Sequence, residues 1–396
     1  MRSLSDLLAP VPVEDFFASK WNCQSLLVRG SPDKTRNLFS WDEVNRIICQ
    51  HRLAPPQIRL SQERKSSDEL AFIKRRFSST GNPIYHVDIP LLYSLLRDGA
   101  SLVLDAVDEM SSAVTDLCEN VGRDLSCQLS VNAYATWGTE PGFGLHWDDH
   151  DLFVVQIEGS KRWKLYKPTR KFPLSKDTMQ NPVPTENDLV WDEIVHPGDV
   201  IYIPRGHWHN VLGVGIPTLH LTCGFSNPSG IDYLSWLVDK MREIEVVRRD
   251  IPRFAAKSDM SEYQHAIEFS LKQMAEKHDV REYIDYWKGN VQARVRASLP
   301  MAVSGIEDTE DFLIAISSVA ATITELVDES KFELNTCGKS IILNQKAQFF
   351  VEQLIIGEKV RLSQLLSDSR NELTRPAALK VIEVLMLHAV VFISKY

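Results

Sequence analysis

Between residues 142 and 163 the chain reads GFGLHWDDHDLFVVQIEGSKRW, crowding His146, Asp148, Asp149, His150 and Asp151 directly before an apolar run. A solvated acidic turn accounts for the aspartates. It does not account for His146 and Asp148 two apart, which project from one face of an extended segment. That spacing suits a metal: an open non-haem iron centre needs two histidines and one carboxylate on one side of the ion, with the remaining positions free. The third donor must come from a distant strand, and GDVIYIPRGHWHNV (198–211) offers His207 and His209 after an apolar strand and a Pro-x-Gly turn. The two share parity, so alternation alone leaves both open. Either motif by itself is common in loops; their joint presence in one β-rich stretch is what points to a site. His150 and His196 read as polar positions around it, and Asp149 and Asp151 as turn or supporting acids.

The elements that must position these residues are short strands. SLLVRG, PQIRLSQ, SLVLDAV, QLSVNAYATWG, DLFVVQIEG, RWKLYKP, DVIYIPRG and TLHLTCGF lie between about 20 and 235. Separated by Gly, Pro and Asp turns, they predict a sandwich or barrel. Helical spacing interrupts them at SWDEVNRIICQHR and SAVTDLCENVG. After FSNPSG the text becomes helical to about 298, with Leu234, Trp236, Leu237, Met241, Ile244 and Val247 close to one apolar stripe. The last hundred residues read strand, three helices and a final strand, an order that suits a winged-helix-like domain.

Composition bounds the function. The 396 residues are 44% hydrophobic and 24% charged, enough for one large domain and smaller ones with real cores. With 44 Lys and Arg against 53 Asp and Glu, the net charge of −9 gives no electrostatic support to nucleic-acid binding. Residues 301–396 are themselves acidic, so the C-terminal module is expected to make protein contacts or a dimer, with no direct DNA binding. Six cysteines without CxxC pairs read as reduced core residues. The opening MRSLSDLLAPVPVEDFF has no signal-peptide pattern, and the run VLMLHAVVFI is too short to span a bilayer. No membrane association is expected, and the cytoplasm is the expected compartment.

The run LHWDDHDLFVVQIEGSKRWKLYKP, with LSVNAYATWG before it and PGDVIYIPRGHWHNV and LHLTCGF after it, resembles the JmjC-type ribosomal oxygenases of the cupin superfamily. The likeness extends to the opening LLAPVPVEDFFASKWNCQSLLVRG and to LRDGASLVLDAVDEM, strongly to about 226 and in architecture beyond. It implies an α+β chain: a double-stranded β-helix (cupin/JmjC barrel) over 1–230, a helical dimerisation segment over 231–298 and a winged-helix-like domain over 299–396. The spacing Pro204-x-Gly206-x-x-His209 matches the second metal motif of cupin barrels, and Gly159 echoes the glycine that closes the first. The resemblance therefore assigns iron(II) to His146, Asp148 and His209.

For the cosubstrate 2-oxoglutarate it assigns Lys161 to the distal carboxylate, Tyr134 to a hydrogen bond with Asn132 beside it, and Thr222 to the strand closing the pocket. A cation opposite the metal is what a keto acid with a second carboxylate requires. Trp147 and His207 depart from the tyrosine and the apolar residue frequent at those places. The implied activity is dioxygen-dependent hydroxylation of an Arg or His side chain on a ribosomal protein by a homodimer. Alternatives are another protein or precursor peptide as substrate, lysine demethylation, a non-catalytic scaffold, and a sugar-isomerase-type cupin with more histidine ligands.

Overall fold

The computed structural model describes residues 3–61, 71–139, 142–175, 177, 182–294, 296–307, 311–326, 330–356 and 359–394. Two compact units divide the chain, Met1–Ser226 and Asn227–Tyr396.

In the first unit the strands are β1 (Leu26–Val28), β2 (Ile58–Ser61), β3 (Ile73–Phe77), β4 (Pro83–Val87), β5 (Ser101–Leu104), β6 (Ser130–Thr136), β7 (Asp151–Glu158), β8 (Lys161–Tyr166), β9 (Leu189–Val195), β10 (Val200–Ile203), β11 (His209–Gly213) and β12 (Thr218–Phe225). Seven form one sheet in the order β1-β10-β7-β12-β6-β5-β2, and three form a second, β11-β8-β9. All eight expected strand segments are present. The hairpin β3–β4 and strand β9 are additions; in β9 Asp192 and Glu193 interrupt the apolar residues and much of the strand is open to solvent, so it lacks the apolar run that marks a buried strand.

The two sheets face each other. Leu152 and Val154 of β7 and Ile201 and Ile203 of β10 meet Trp163 and Leu165 of β8 and Val195 of β9 in one core cluster. Each fully buried side chain of this size contributes about 1.5–3 kcal/mol relative to exposure. The alternate residues of β7 and β10 turn the other way: Phe153 and Tyr202 pack on Phe16, with ring centroids 5.9 and 4.9 Å from it. Phe16 belongs to α2 (Val13–Ser19), which follows α1 (Leu4–Leu8). With both faces covered, β7 is buried from Asp151 to Ile157, and its Leu152–Val155 stretch is continuously apolar rather than alternating.

The two helices that the pattern predicts in this unit form, as α3 (Trp41–Gln50) and α5 (Ser112–Leu125), and α1, α2 and α4 (Ile89–Arg97) are additions. Helix α3 starts on Ser40, whose Oγ accepts from the Glu43 amide. Helix α5 buries Val114, Leu117, Cys118 and Val121, one stripe at helical spacing.

The turn from β7 to β8 decides where the site can form. These strands lie in different sheets, so Gly159-Ser160 is a corner that carries the chain across the barrel. Gly159 sits at φ +63°, and a Cβ there would come 2.0 Å from the Pro217 carbonyl oxygen. The Gln156 amide nitrogen ties the corner down, donating to Thr218 Oγ1 at 2.8 Å and reaching the Gly159 carbonyl at 3.2 Å.

The second unit opens with α6 (Gly230–Lys240), α7 (Glu245–Arg248), α8 (Lys257–Lys277) and α9 (Val280–Asn290). Trp236 and Leu237 are buried against Tyr283 of α9, and Met241 is buried too. This corrects the single stripe expected from the sequence: what α6 leaves exposed is Ile231, Leu234 and Val238. Beyond α10 (Met301–Ser304) come β13 (Leu313–Ile316), β14 (Ala321–Leu326), β15 (Lys331–Thr336), β16 (Lys339–Asn344), α11 (Gln348–Ile355), β17 (Val360–Arg361), α12 (Leu362–Ser367), α13 (Arg375–Leu387) and β18 (Val391–Ser394). The three helices and the final strand stand as expected. The expected first strand is β16; β14 and β15, which complete a meander with it, are additions, their alternation masked by Thr, Glu, Lys and Asn on the outer face. Phe312, Ile314, Phe332, Leu334 and Phe350 share one core with the helices.

Gly159→Ala should destabilise the first unit by about 1–3 kcal/mol from the backbone conformation alone, before the clash with Pro217 is added. Urea denaturation followed by circular dichroism measures it, and a loss under about 0.5 kcal/mol would mean that the corner relaxes freely.

Candidate functional site

The segment carrying His146 and Asp148 is not a regular strand. It is a loop ahead of β7 with a single bridge residue, His146, paired to His209 at the start of β11. The two exchange both backbone hydrogen bonds, His146 N to His209 O at 3.1 Å and His209 N to His146 O at 2.7 Å. Two residues further on, the Asp148 carbonyl accepts from Gly206 N at 2.9 Å, which fastens the Pro-x-Gly turn to the same loop. The expected alternation survives without the strand: Leu145 and Trp147 pack with Tyr166 and Trp208, while His146 and Asp148 face a cavity of about 210 Å³.

Nitrogen and oxygen atoms of His146, Asp148 and His209 lie within 4.8 Å of one another. His209 Nε2 is 3.5 Å from Asp148 Oδ2. In each imidazole Nδ1 meets a carbonyl, Gly144 O at 3.0 Å for His146 and His207 O at 3.2 Å for His209. A carbonyl only accepts, so Nδ1 carries the proton and the Nε2 lone pair is free for a ligand. Burial, with His146 alongside, pushes His209 down to about 4, so it stays neutral. Two neutral imidazoles and one carboxylate make the donor set of an open divalent-metal centre, and the site fits iron(II).

His207 is buried but outside the cavity, its Nδ1 3.2 Å from the Pro204 carbonyl. His150 pairs with Asp149 and lies over Gly224, and His196 pairs with Ser160. Asp151 accepts from Arg205 N at 2.9 Å, bracing the turn before His209.

The opposite wall carries Lys161, the first residue after the Gly159 corner. It is 4% exposed, while its neighbour Arg162 points outward to Asp192. Burial pushes Lys161 down to about 7 from an ordinary 10.5. Tyr134 lines the same cavity, and burial pushes its phenol up to about 12, so it is a neutral hydroxyl. Thr222 lines it as well. Asn132 does not; its Oδ1 accepts from Ala106 N at 3.0 Å.

Sequence reasoning passed over His220, Thr136 and Ser101, which also line the cavity. The register explains the first two: β12 and β6 pair Thr222 with Asn132, His220 with Tyr134 and Thr218 with Thr136. Polar residues at every second place in NAYAT and TLHLT carry that signal.

Residues 107–233 match the JmjC domain family model. Over those residues the chain is similar to the JmjC domain family. Among curated relatives, the bifunctional lysine-specific demethylase and histidyl-hydroxylase NO66 of Drosophila willistoni is 28% identical over 214 residues, 53% of this chain and 27% of that protein. Its Aedes aegypti counterpart is 27% identical over 221 residues, 54% of this chain and 33% of that protein. This chain thus spans about a quarter to a third of the length of those relatives. The ribosomal oxygenase YcfD of Escherichia coli superposes on 97% of this chain and 98% of its own with a TM-score of 0.56 at 16% identity. YcfD in complex with cobalt and 2-oxoglutarate superposes with a TM-score of 0.55. The chain therefore shares the mixed helix-and-sheet fold of YcfD.

Two outcomes follow from this geometry. His209→Ala should weaken Mn(II) binding at least about tenfold by calorimetry, whereas His207→Ala should leave it within about twofold. Lys161→Met should stabilise the ligand-free protein by about 0.5–2 kcal/mol near pH 7. The sign follows from protons: between about 7 and 10.5 the unfolded chain holds the lysine proton that the fold has released, so wild-type stability rises with pH across that window. The advantage of Lys161→Met should therefore shrink toward pH 10 in urea titrations.

Proposed function

We propose that the protein is an iron(II)- and 2-oxoglutarate-dependent dioxygenase that hydroxylates an Arg or His side chain of a ribosomal protein. One observation carries this function: a His-Asp-His donor set and a buried lysine share one small cavity. Without an anion to meet it, Lys161 would be a buried charge with no compensation. The relatives lend support, since YcfD is described with cobalt and 2-oxoglutarate and NO66 is named a histidyl-hydroxylase.

His146, Asp148 and His209 would hold the metal, with both Nδ1–H groups anchored on backbone carbonyls so that the rings cannot turn away. When bound, iron(II) supplies dioxygen activation, coupling decarboxylation of 2-oxoglutarate to succinate with insertion of one oxygen into a C–H bond. Lys161 would pair with the distal carboxylate, Tyr134 and Thr222 would donate hydroxyl hydrogen bonds, and Asn132 would support the strand that carries Tyr134 through its bond to the Ala106 amide. Trp163, stacked 6.0 Å from His209, excludes water from the wall between the two subsites. The acidic chain suits a basic substrate. The intact donor set counts against a purely scaffolding role.

We also propose that residues 231–298 form a dimerisation segment and 299–396 a winged-helix-like contact module. Ile231, Leu234 and Val238 on α6 are exposed at 56%, 49% and 54%, an apolar stripe suited to a second copy. The cytoplasm is the proposed compartment: all six cysteines are free, and no helix among the described residues is long and apolar enough to cross a membrane.

Turnover of 2-oxoglutarate to succinate with iron(II), together with a 16 Da mass gain on a ribosomal protein, about one oxygen atom, tests the activity. Asp148→Ala should abolish both, and Lys161→Ala should raise the 2-oxoglutarate KM about ten- to a hundredfold. Because free Lys161 loses its proton near 7, cosubstrate affinity should fall as pH climbs above that value. Light scattering should give about 90 kDa, twice the 45.0 kDa chain, and Leu234→Glu with Val238→Glu should halve it.

A further inference from the structure

His220 has no role in the donor set, yet it is a polar side chain only 4% exposed on the wall of the same cavity. Its ring lies parallel to Tyr134, 5.0 Å between centroids and 7° apart, and meets the edge of Trp163 at 5.6 Å. The register locks this stack, because His220 is the cross-strand partner of Tyr134 on one side and of Gln156 on the other. Nδ1 is sealed from solvent and has no hydrogen-bond partner among the described residues. An orphaned buried N–H is rarer than an under-used acceptor, so the proton belongs on Nε2, the ring nitrogen left for the cavity. Burial and the nearby Lys161 hold the imidazole well below its ordinary pKa, so it remains neutral.

We propose that His220 is a binding residue for the distal carboxylate of the cosubstrate, donating a hydrogen bond from Nε2–H beside the charge of Lys161. The placement explains a buried imidazole whose polar edge has nothing in the protein to meet, and it sets a ring donor beside the lysine and the Tyr134 and Thr222 hydroxyls. A second, neutral donor adds direction without a second buried charge. Tyr134, stacked on the ring, then holds His220 in plane with the cavity. Charge neutrality follows too, since one lysine and one carboxylate cancel and an imidazolium would not.

This inference rests on the proposed 2-oxoglutarate chemistry, and its test separates the two. Full-length wild type, His220→Phe and His220→Gln, each loaded with Mn(II), are titrated anaerobically with 2-oxoglutarate and with 2-oxobutyrate, which lacks the distal carboxylate. The wild type should prefer 2-oxoglutarate strongly. His220→Phe, which keeps an aromatic ring on Tyr134, should cut that preference ~10-fold or more while Mn(II) affinity stays unchanged, and His220→Gln should recover part of it. His220→Met serves the same measurement if the Phe variant does not fold. A wild type that binds neither keto acid would sink the 2-oxoglutarate chemistry itself. A wild type that prefers 2-oxoglutarate, with the same preference in His220→Phe or His220→Met, would overturn the role of His220 alone.

Discussion

Two backbone hydrogen bonds between His146 and His209 hold the first unit's chemistry together. They join a loop that precedes the large sheet to the first residue of a strand in the small one, so a single bridge closes the barrel and aligns two donor side chains. Reciprocal pairing of this kind fixes where the two Cα atoms sit and which way their side chains leave the backbone. Asp148 is then placed by parity, and its own carbonyl clamps the Pro204–Gly206 turn from which His209 emerges. The donor set is thus a property of main-chain geometry, with the side chains only completing it.

The opposite wall shows the cost of function. Lys161 enters the barrel because Gly159 turns a corner that no side chain fits, and there it meets burial instead of water. Burial lowers its pKa and takes stability from the ligand-free fold, the usual bargain when a site is prepared for a charged ligand. Tyr134, Thr222 and His220 surround it with neutral donors, so the cavity carries one positive charge facing a neutral-histidine and carboxylate cluster. Arg162, one residue later, is the control within the same strand: it points out, pairs with Asp192 and keeps its charge in water.

The second unit follows a different logic. Its core is aliphatic and aromatic, and the aromatic cluster of Tyr233, Trp236 and Tyr283 seals α6 against α9. Apolar residues on α6 are split between that seal and an exposed row, which is more apolar surface than a solvated helix needs.

By itself the sequence determined the strand succession of the barrel, the helices on either side of it, and the six polar residues that gather with Asn132 about one site. All of these are local signals: turn residues, alternation, helical spacing and the two short motifs with their surroundings. Parity left His207 and His209 equal and the Pro204-x-Gly206-x-x-His209 spacing favoured His209; the tertiary structure adds the physical reason, turning the His207 Nδ1 to the Pro204 carbonyl and His209 into the cavity. It alone set Lys161 inside and Arg162 outside, because that choice depends on which sheet β8 joins. It brought His220 and Thr136 to the cavity through the register of β12 on β6, a pairing between segments far apart in the chain. It also divided the apolar residues of α6 between core and surface, since helical periodicity gives a face but not the neighbour that covers it.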